Sequence, residues 1–268
     1  MTKLKPSNIT YSGKMGDRVF VNSKTWGPHT RAAPKKECRK DDPVLKLQNS
    51  RTGFIDGLAS EINKTIKIYG GRLMYTGFYG KLITLFRQEP LNNRYLMLLL
   101  MKGMEINPDY PLGKLGAASV AVKKLKDEIT VNLQVLAHPD SGKHNANSYF
   151  CELTLLSWDK SKKAATHSMQ KSKLVYLNYG RPEFIFRFLN QKNTTHWLLC
   201  LRKRLCKDDN LIGVFVTDGM QIVEVGTFNK KEQAIVDQRR AAKEAERAVR
   251  KVKKEDINEG GVAATRFL

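Results

Sequence analysis

The apolar positions of this chain change period along its length. Phe54, Leu58, Ile62 and Ile66 recur every four residues, and Ile55, Ala59 and Tyr69 widen the stripe. That spacing predicts an amphipathic helix with one buried side. Asp42 before Pro43 supplies an N-cap and a first-turn proline, and Gly70-Gly71 supplies the stop. Two further helices are expected over Gly77–Arg87, ended by Pro90, and over Asn92–Met101.

From Leu115 to Phe228 the period becomes two. Ile129, Val131, Leu133 and Val135 alternate with Glu128, Thr130, Asn132 and Gln134, as in a half-buried strand. Further strands are expected at Tyr149–Trp158, Leu174–Leu177, Glu183–Leu189, Thr195–Leu205, Leu211–Thr217 and Met220–Phe228. Lys207-Asp208-Asp209-Asn210 reads as a turn, and Asp218-Gly219 as a two-residue type I′ hairpin loop. About seven strands with turns at this spacing suit an antiparallel β-sandwich. Trp197-Leu198-Leu199-Cys200 is apolar on both faces, like a covered central strand. Arg202-Lys203-Arg204 then emerges into solvent, with Asp208 and Asp209 as nearby counter-charges.

The ends differ from this middle. Residues 1–42 hold turn formers at Ser12-Gly13, Gly16-Asp17 and Gly27-Pro28 and one short alternating patch, Val19-Phe20-Val21. They read as an extended basic arm with one hairpin. At the other end, Asn229 and Glu232 form a capping box that starts a helix near Lys230. Ile235, Gln238, Ala242, Ala245, Val249 and Val252 form its narrow docking stripe, and Gly260-Gly261 ends it. The expected order is an arm (1–42), a helical unit (43–112), a β-sandwich (113–228), a long basic helix (229–258) and a tail (259–268), an α+β class overall.

Composition narrows the chemistry. Hydrophobic residues make up 41% of the 268, enough for a core. The longest apolar run, Tyr95–Met101, has seven residues, against roughly 20 for a membrane span. Met1–Ser12 lacks the apolar stretch of a secretory signal, so a soluble, cytoplasmic chain is expected. The four cysteines form no C-x-x-C pair and are expected as reduced, buried thiols. No nucleophile elbow, P-loop, zinc-protease or dinucleotide motif occurs. His138 and His144 bracket one turn, which is half a metal site at most. No catalytic residue, metal or cofactor is expected.

The net charge of +21 points to polyanions. Lys14, Arg18, Lys24, Arg31, Lys35, Lys36, Arg39 and Lys40 are interleaved with Tyr11, Phe20, Trp26 and His29. Cations meet phosphates and rings stack on unpaired bases, so the mixture suits RNA or single-stranded DNA. Arg202, Lys203 and Arg204 form a second cluster, and Lys243, Arg247 and Lys251 a cationic ridge of like-charge i,i+4 neighbours. The first expectation is a non-enzymatic nucleic-acid-binding or nucleoprotein-associated factor. The alternative is a structural or assembly module docking on protein partners, as in a cellular scaffold or a phage particle.

Gly13, Lys14 and Gly16 form a Gly-Lys-x-Gly motif, followed by Arg31, Pro34 and Lys35 in an x-Arg-x-x-Pro-Lys motif. The first 35 or so residues thereby resemble an uncharacterised family of short Bacteroidetes proteins, which continue into helix and end in a β-rich module. The resemblance implies a bacterial, non-secreted, non-enzymatic module and carries over no site residue. The extra length and the charged C-terminal helix depart from the family's pattern.

Overall fold

The computed structural model describes residues 2–3, 12–23, 27–33, 42–125, 127–140, 145–159, 165–190, 193–212, 217–242 and 244–246. The chain forms two compact units, residues 1–50 and 51–268.

In the first unit, β1 (Thr2–Lys3), β2 (Gly13–Met15), β3 (Arg18–Ser23) and β4 (Gly27–Ala32) form an antiparallel sheet in the order β1-β4-β3-β2. This corrects the extended arm with a single hairpin. Gly16, at φ +62°, makes the β2–β3 turn, and Val19-Phe20-Val21 lies in β3, paired on both edges. Helix α1 (Pro43–Gly70) then begins, its Val44 amide bonded to Asp42 Oδ1 at 2.9 Å.

The second unit is α+β. Helices α2 (Phe78–Phe86) and α3 (Arg94–Leu99) follow α1, and α4 covers residues 230–246 apart from the undescribed 243. Among the described residues, nine strands form two antiparallel sheets. The smaller has the order β10 (Glu183–Leu189), β6 (Glu128–Val135), β5 (Ala118–Lys124). The larger, six-stranded sheet is a curled half-barrel built on β7 (Ser148–Asp159) and β11 (Thr194–Lys207), which pair from Thr194↔Asp159 to Cys206↔Ser148. Beyond β7 lie β8 (Thr166–Lys171) and β9 (Val175–Tyr176). Beyond β11 lie β12 (Asn210–Leu211) and β13 (Asp218–Thr227). Residues 103–106 add to the free edge of β13, through Gly103 N–H to Ile222 O at 2.7 Å and Ile106 N–H to Met220 O at 2.8 Å.

The central strands of the large sheet, β7 and β11, are buried on both faces. On one, Leu156, Trp158, Leu198 and Cys200 pack against Ile62, Ile66, Phe78, Leu82 and Met97 of the helices. On the other, Tyr149, Cys151, Leu153, Leu199 and Leu201 pack against Val131, Leu133, Phe186 and Phe188 of the small sheet. The all-apolar start of β11 follows directly from this, since a strand covered on both faces has no solvent side.

Two expected turns had different fates. Asp208 and Asp209, at φ 48° and 64°, form the two-residue loop joining β11 to β12, as a type I′ turn requires. Asp218-Gly219 forms no hairpin: both residues lie inside β13, paired with Arg204 and Lys203. Gly219 serves close approach instead, because a Cβ there would sit 3.2 Å from Leu112 Cα.

Gly226 has a similar task. It faces Trp197 across the ladder, and a Cβ would fall 2.2 Å from Trp197 Cζ2. Gly226→Ala is expected to displace the buried indole and destabilise the protein by about 1–3 kcal/mol. A lowered denaturant midpoint together with a shifted tryptophan emission maximum checks this; an unchanged midpoint refutes it.

Candidate nucleic-acid interface

Of the fifteen cationic and aromatic candidates, Lys24, Trp26, Lys35, Lys36, Arg39, Lys40, Lys243, Arg247 and Lys251 lie outside the described residues. Lys14, Arg18 and Arg31 are exposed in the first unit. Lys14 pairs with Val19 and Val19 with Arg31, so Lys14 and Arg31 share one face of the sheet. Arg18, one residue from Val19, occupies the opposite face with its partners Met15 and Ala32. Neither Lys14 nor Arg31 meets a carboxylate among the described residues.

Arg202, Lys203 and Arg204 do not emerge into solvent, which corrects their expected place. Arg202 donates from Nε to Asp218 Oδ1 at 2.8 Å, pairs through Nη2 with Asp218 Oδ2, and reaches the Tyr69 carbonyl at 2.5 Å. Arg204 Nε lies 3.4 Å from Asp218 Oδ2 and its Nη1 lies 3.7 Å from Glu152 Oε1. The counter-charges are therefore Asp218 and Glu152, on the flanking strands, not Asp208 and Asp209. Lys203 points into the opposite, apolar layer and is 0% exposed. Its ammonium donates to the carbonyls of Leu115 and Gly116 at 3.2 and 2.5 Å, and burial pushes it below its ordinary value. All three cations are committed to the fold.

Helix α4 starts where expected, but its cap and its docking face differ. Asn229 Oδ1 accepts the Lys231 amide at 3.1 Å, one half of a cap. The Asn229 amide donates to Thr227 Oγ1 at 3.0 Å rather than to Glu232. Glu232 turns inward: Oε2 meets His196 Nε2 at 2.7 Å and Thr227 Oγ1 at 3.0 Å, and Oε1 accepts from Asn93 Nδ2 at 3.1 Å. Gln233 Oε1 lies 3.4 Å from the Tyr95 hydroxyl, and Val236, 6% exposed, joins the helical core. One turn on, Arg239 forks onto Glu89 at 2.8 and 3.2 Å. Ile235 is 37% exposed, and Gln238, Ala242 and Ala245 are exposed. The stripe is thus rotated to Glu232, Gln233, Val236 and Arg239. The alanine face buries too little area to compete with three satisfied polar side chains.

A β-bulge supports this anchor. The β11–β7 register shifts between Thr194 and His196, which turns the Thr195 hydroxyl to the same side as the imidazole. Thr195 Oγ1 lies 2.8 Å from His196 Nδ1 and 3.1 Å from the Trp158 carbonyl oxygen. An ionised Glu232 places the proton of a neutral His196 on Nε2, leaving Nδ1 as an acceptor. Tyr95 stacks on the imidazole at 6.0 Å. Sequence reasoning missed His196 and Asn93, which carry no local pattern; Glu232 was flagged, but as a cap.

Beside the bulge, a groove of about 500 Å³ runs between the start of β11 and the start of α4. Thr194, Thr195, Phe228, Asn229, Lys230 and Lys231 line it. Among the described residues, no acidic side chain lines this groove and neither lysine ammonium meets a carboxylate. The arrangement offers two cations, hydroxyls, an amide and an aromatic wall at the positive end of a helix. Among the described residues, no cluster of three metal-ligating side chains occurs, and no helix is long and apolar enough to cross a membrane. No family model, curated protein or solved structure matches this chain.

The anchor has a pH signature. Burial holds His196 below the ordinary imidazole value of 6.5, with Glu232 opposing and Arg94 reinforcing. The unfolded chain takes up that proton first, so this stability is full above the ordinary value and drains as pH falls through it. Burial alone would raise Glu89, but hydrogen bonds from Arg239 and the Leu91 amide hold it below its ordinary 4.5. It acts in the same sense, only at lower pH. Burial raises Glu61 and Glu105, whose contributions are lost as pH rises through the carboxylate range. Among the described groups that are shifted, His196 is the one whose ordinary value lies inside the window from about pH 7 to about 5.5. The urea midpoint is expected to fall across it in the wild type and stay level in His196→Gln; parallel curves would refute the assignment.

Proposed function

We propose that this protein is a non-enzymatic, cytoplasmic nucleic-acid-binding or nucleoprotein-associated factor that takes RNA or single-stranded DNA. The observation that carries the reading is the groove at the start of α4, edged by Lys230 and Lys231 with no acidic side chain among the described residues, in a chain of net charge +21. Its volume of about 500 Å³ falls within the range of small-molecule sites, and its lining matches the parts of a nucleotide. The lysines and the α4 amides suit a phosphate, Phe228 offers an apolar wall to a base, and Asn229 offers an amide to its edge. Lys14 and Arg31 of the first unit add a second pair of uncommitted cations. In this reading the two facing sheets act as a β-sandwich, a stiff frame that holds the groove open.

One observation favours a second reading, an assembly module. The exposed α4 face of Ile235, Gln238, Ala242 and Ala245 suits a helical protein partner.

Log affinity for a short oligonucleotide is expected to fall linearly with log salt, by about 0.7 per phosphate contact on single strands. Reversing Lys230 and Lys231 to glutamate is expected to keep the fold, since acidic residues suit a helix start, and to lower affinity by about tenfold or more. A flat salt response in the wild type sinks this reading. Self-association in gel filtration, with no oligonucleotide binding, supports the second.

A further inference from the structure

At the far end of β11 from the groove, two tyrosines stand out of the surface. Tyr176 is 38% exposed and Tyr179 is 68% exposed. Their ring centroids are 5.8 Å apart with the planes tilted by 57°. Each is held by a separate device. The Tyr176 hydroxyl donates to Asp209 Oδ1 at 3.0 Å. The Tyr179 carbonyl meets His138 Nε2 at 3.1 Å, and His138 Nδ1 lies 3.0 Å from the hydroxyl of the buried Tyr149. Tyr179 N–H closes a turn onto Tyr176 O at 3.2 Å, and Leu177 N–H reaches Asn147 O at 3.0 Å.

The support under Asp209 is itself fixed. Asn147 Nδ2 donates to Asp208 Oδ1 at 2.9 Å, and Asn147 Oδ1 accepts the Asp208 amide at 3.1 Å. Tyr176 is thus tied to the β11–β12 turn, and that turn is tied to the start of β7. The Tyr176 ring and the Tyr179 backbone are held before any ligand arrives, which lowers the ordering cost for a partner that stacks on the pair. They are also spare to the core, since neither lies among the buried residues of either apolar layer.

The charged surroundings are mixed. Lys173 and Arg181, close in sequence to the tyrosines, and Lys207, beside the Asp208-Asp209 turn, are exposed, with Asp208 and Asp209 engaged as described and Asp140 two residues from His138. Arg181 is two residues from Tyr179, and none of the three cations meets a carboxylate among the described residues.

We propose that Tyr176 and Tyr179 form a stacking platform for an unpaired base of a single-stranded nucleic acid, with Arg181, Lys173 and Lys207 meeting its phosphates. The proposal rests on the nucleic-acid reading above and adds the form of the ligand. A duplex keeps its base faces stacked inside, so only an unpaired base reaches an exposed ring. Base discrimination is small, because every base has a π-face. The excess positive charge of the chain favours a nucleic acid over an uncharged ligand with flat faces, such as a sugar chain.

The test compares wild type, Tyr179→Ala, Tyr176→Phe and the Lys230/Lys231 reversal by fluorescence anisotropy at about 50 mM salt. The probes are a labelled oligothymidylate and an abasic oligomer of equal length, which keeps the phosphates and lacks the bases. The wild type is expected to prefer the oligothymidylate. Tyr179→Ala is expected to lose about tenfold in affinity for it, with an unchanged salt slope and unchanged binding of the abasic oligomer. Tyr176→Phe keeps the ring and releases Asp209, and is expected to lose less. Reversal of Lys230 and Lys231 is expected to weaken both probes equally. Tyr179→Ala binding the oligothymidylate as the wild type does overturns the platform while leaving the groove standing. Wild type binding neither probe overturns the nucleic-acid reading itself. Oligothymidylate binding competed by an uncharged polysaccharide, and not by the abasic oligomer, assigns the rings to sugar and also overturns the platform.

Discussion

Burial of β7 and β11 on both faces constrains everything else in the second unit. A strand pair with no solvent side needs a layer above and a layer below, or its leucines and tryptophans stay wet. The helices supply one layer and the three-stranded sheet the other. Neither layer is large, so the ladder is what holds them together. The glycines at 219 and 226 follow from the same demand, since each lets a neighbour come closer than a side chain would allow.

The cations of the second unit sort by their distance from this ladder. Where β11 carries basic residues inside the fold, each has a specific partner: Asp218 and Glu152 for the two arginines, two backbone carbonyls for Lys203. A buried charge left without such partners costs several kcal/mol, roughly, so these contacts are obligatory. Lys230 and Lys231 face no such demand and sit at the surface, meeting no carboxylate among the described residues, and the same holds of Lys14 and Arg31 within the first unit. Net charge alone does not separate the two groups; position on the sheet does.

Long, regular segments were legible in the sequence. The four-residue stripe from Phe54 to Ile66 marked α1, the alternation from Glu128 to Val135 marked β6, and the doubly apolar start of β11 marked a covered strand. Local signals failed where a tertiary contact outweighed them. Asp218-Gly219 has the chemistry of a hairpin loop, yet its glycine is used to admit Leu112 and its aspartate to neutralise Arg202. The α4 stripe failed for a related reason: counting apolar spacings ignores polar anchors, and Glu232 with Arg239 outweighs a row of alanines. The anchor itself joins Asn93, His196 and Glu232, residues distant in the chain, and no single-sequence pattern connects them. The paired tyrosines carried only a Tyr-x-x-Tyr spacing, which gains meaning once Asp209 and His138 are seen to hold them.

The double burial also governs the thiols. Cys151, Cys200 and Cys206 sit in β7 and β11, buried and unlinked, and burial pushes all three upward, Cys151 to about 11. Oxidants and alkylating reagents attack the thiolate, which these sites scarcely form near neutral pH. The sulfurs are therefore chemically silent while the ladder is closed, and become ordinary reactive thiols once it opens. Their slow modification under native conditions would act as a clock for the rarest event in the molecule, the parting of its two central strands.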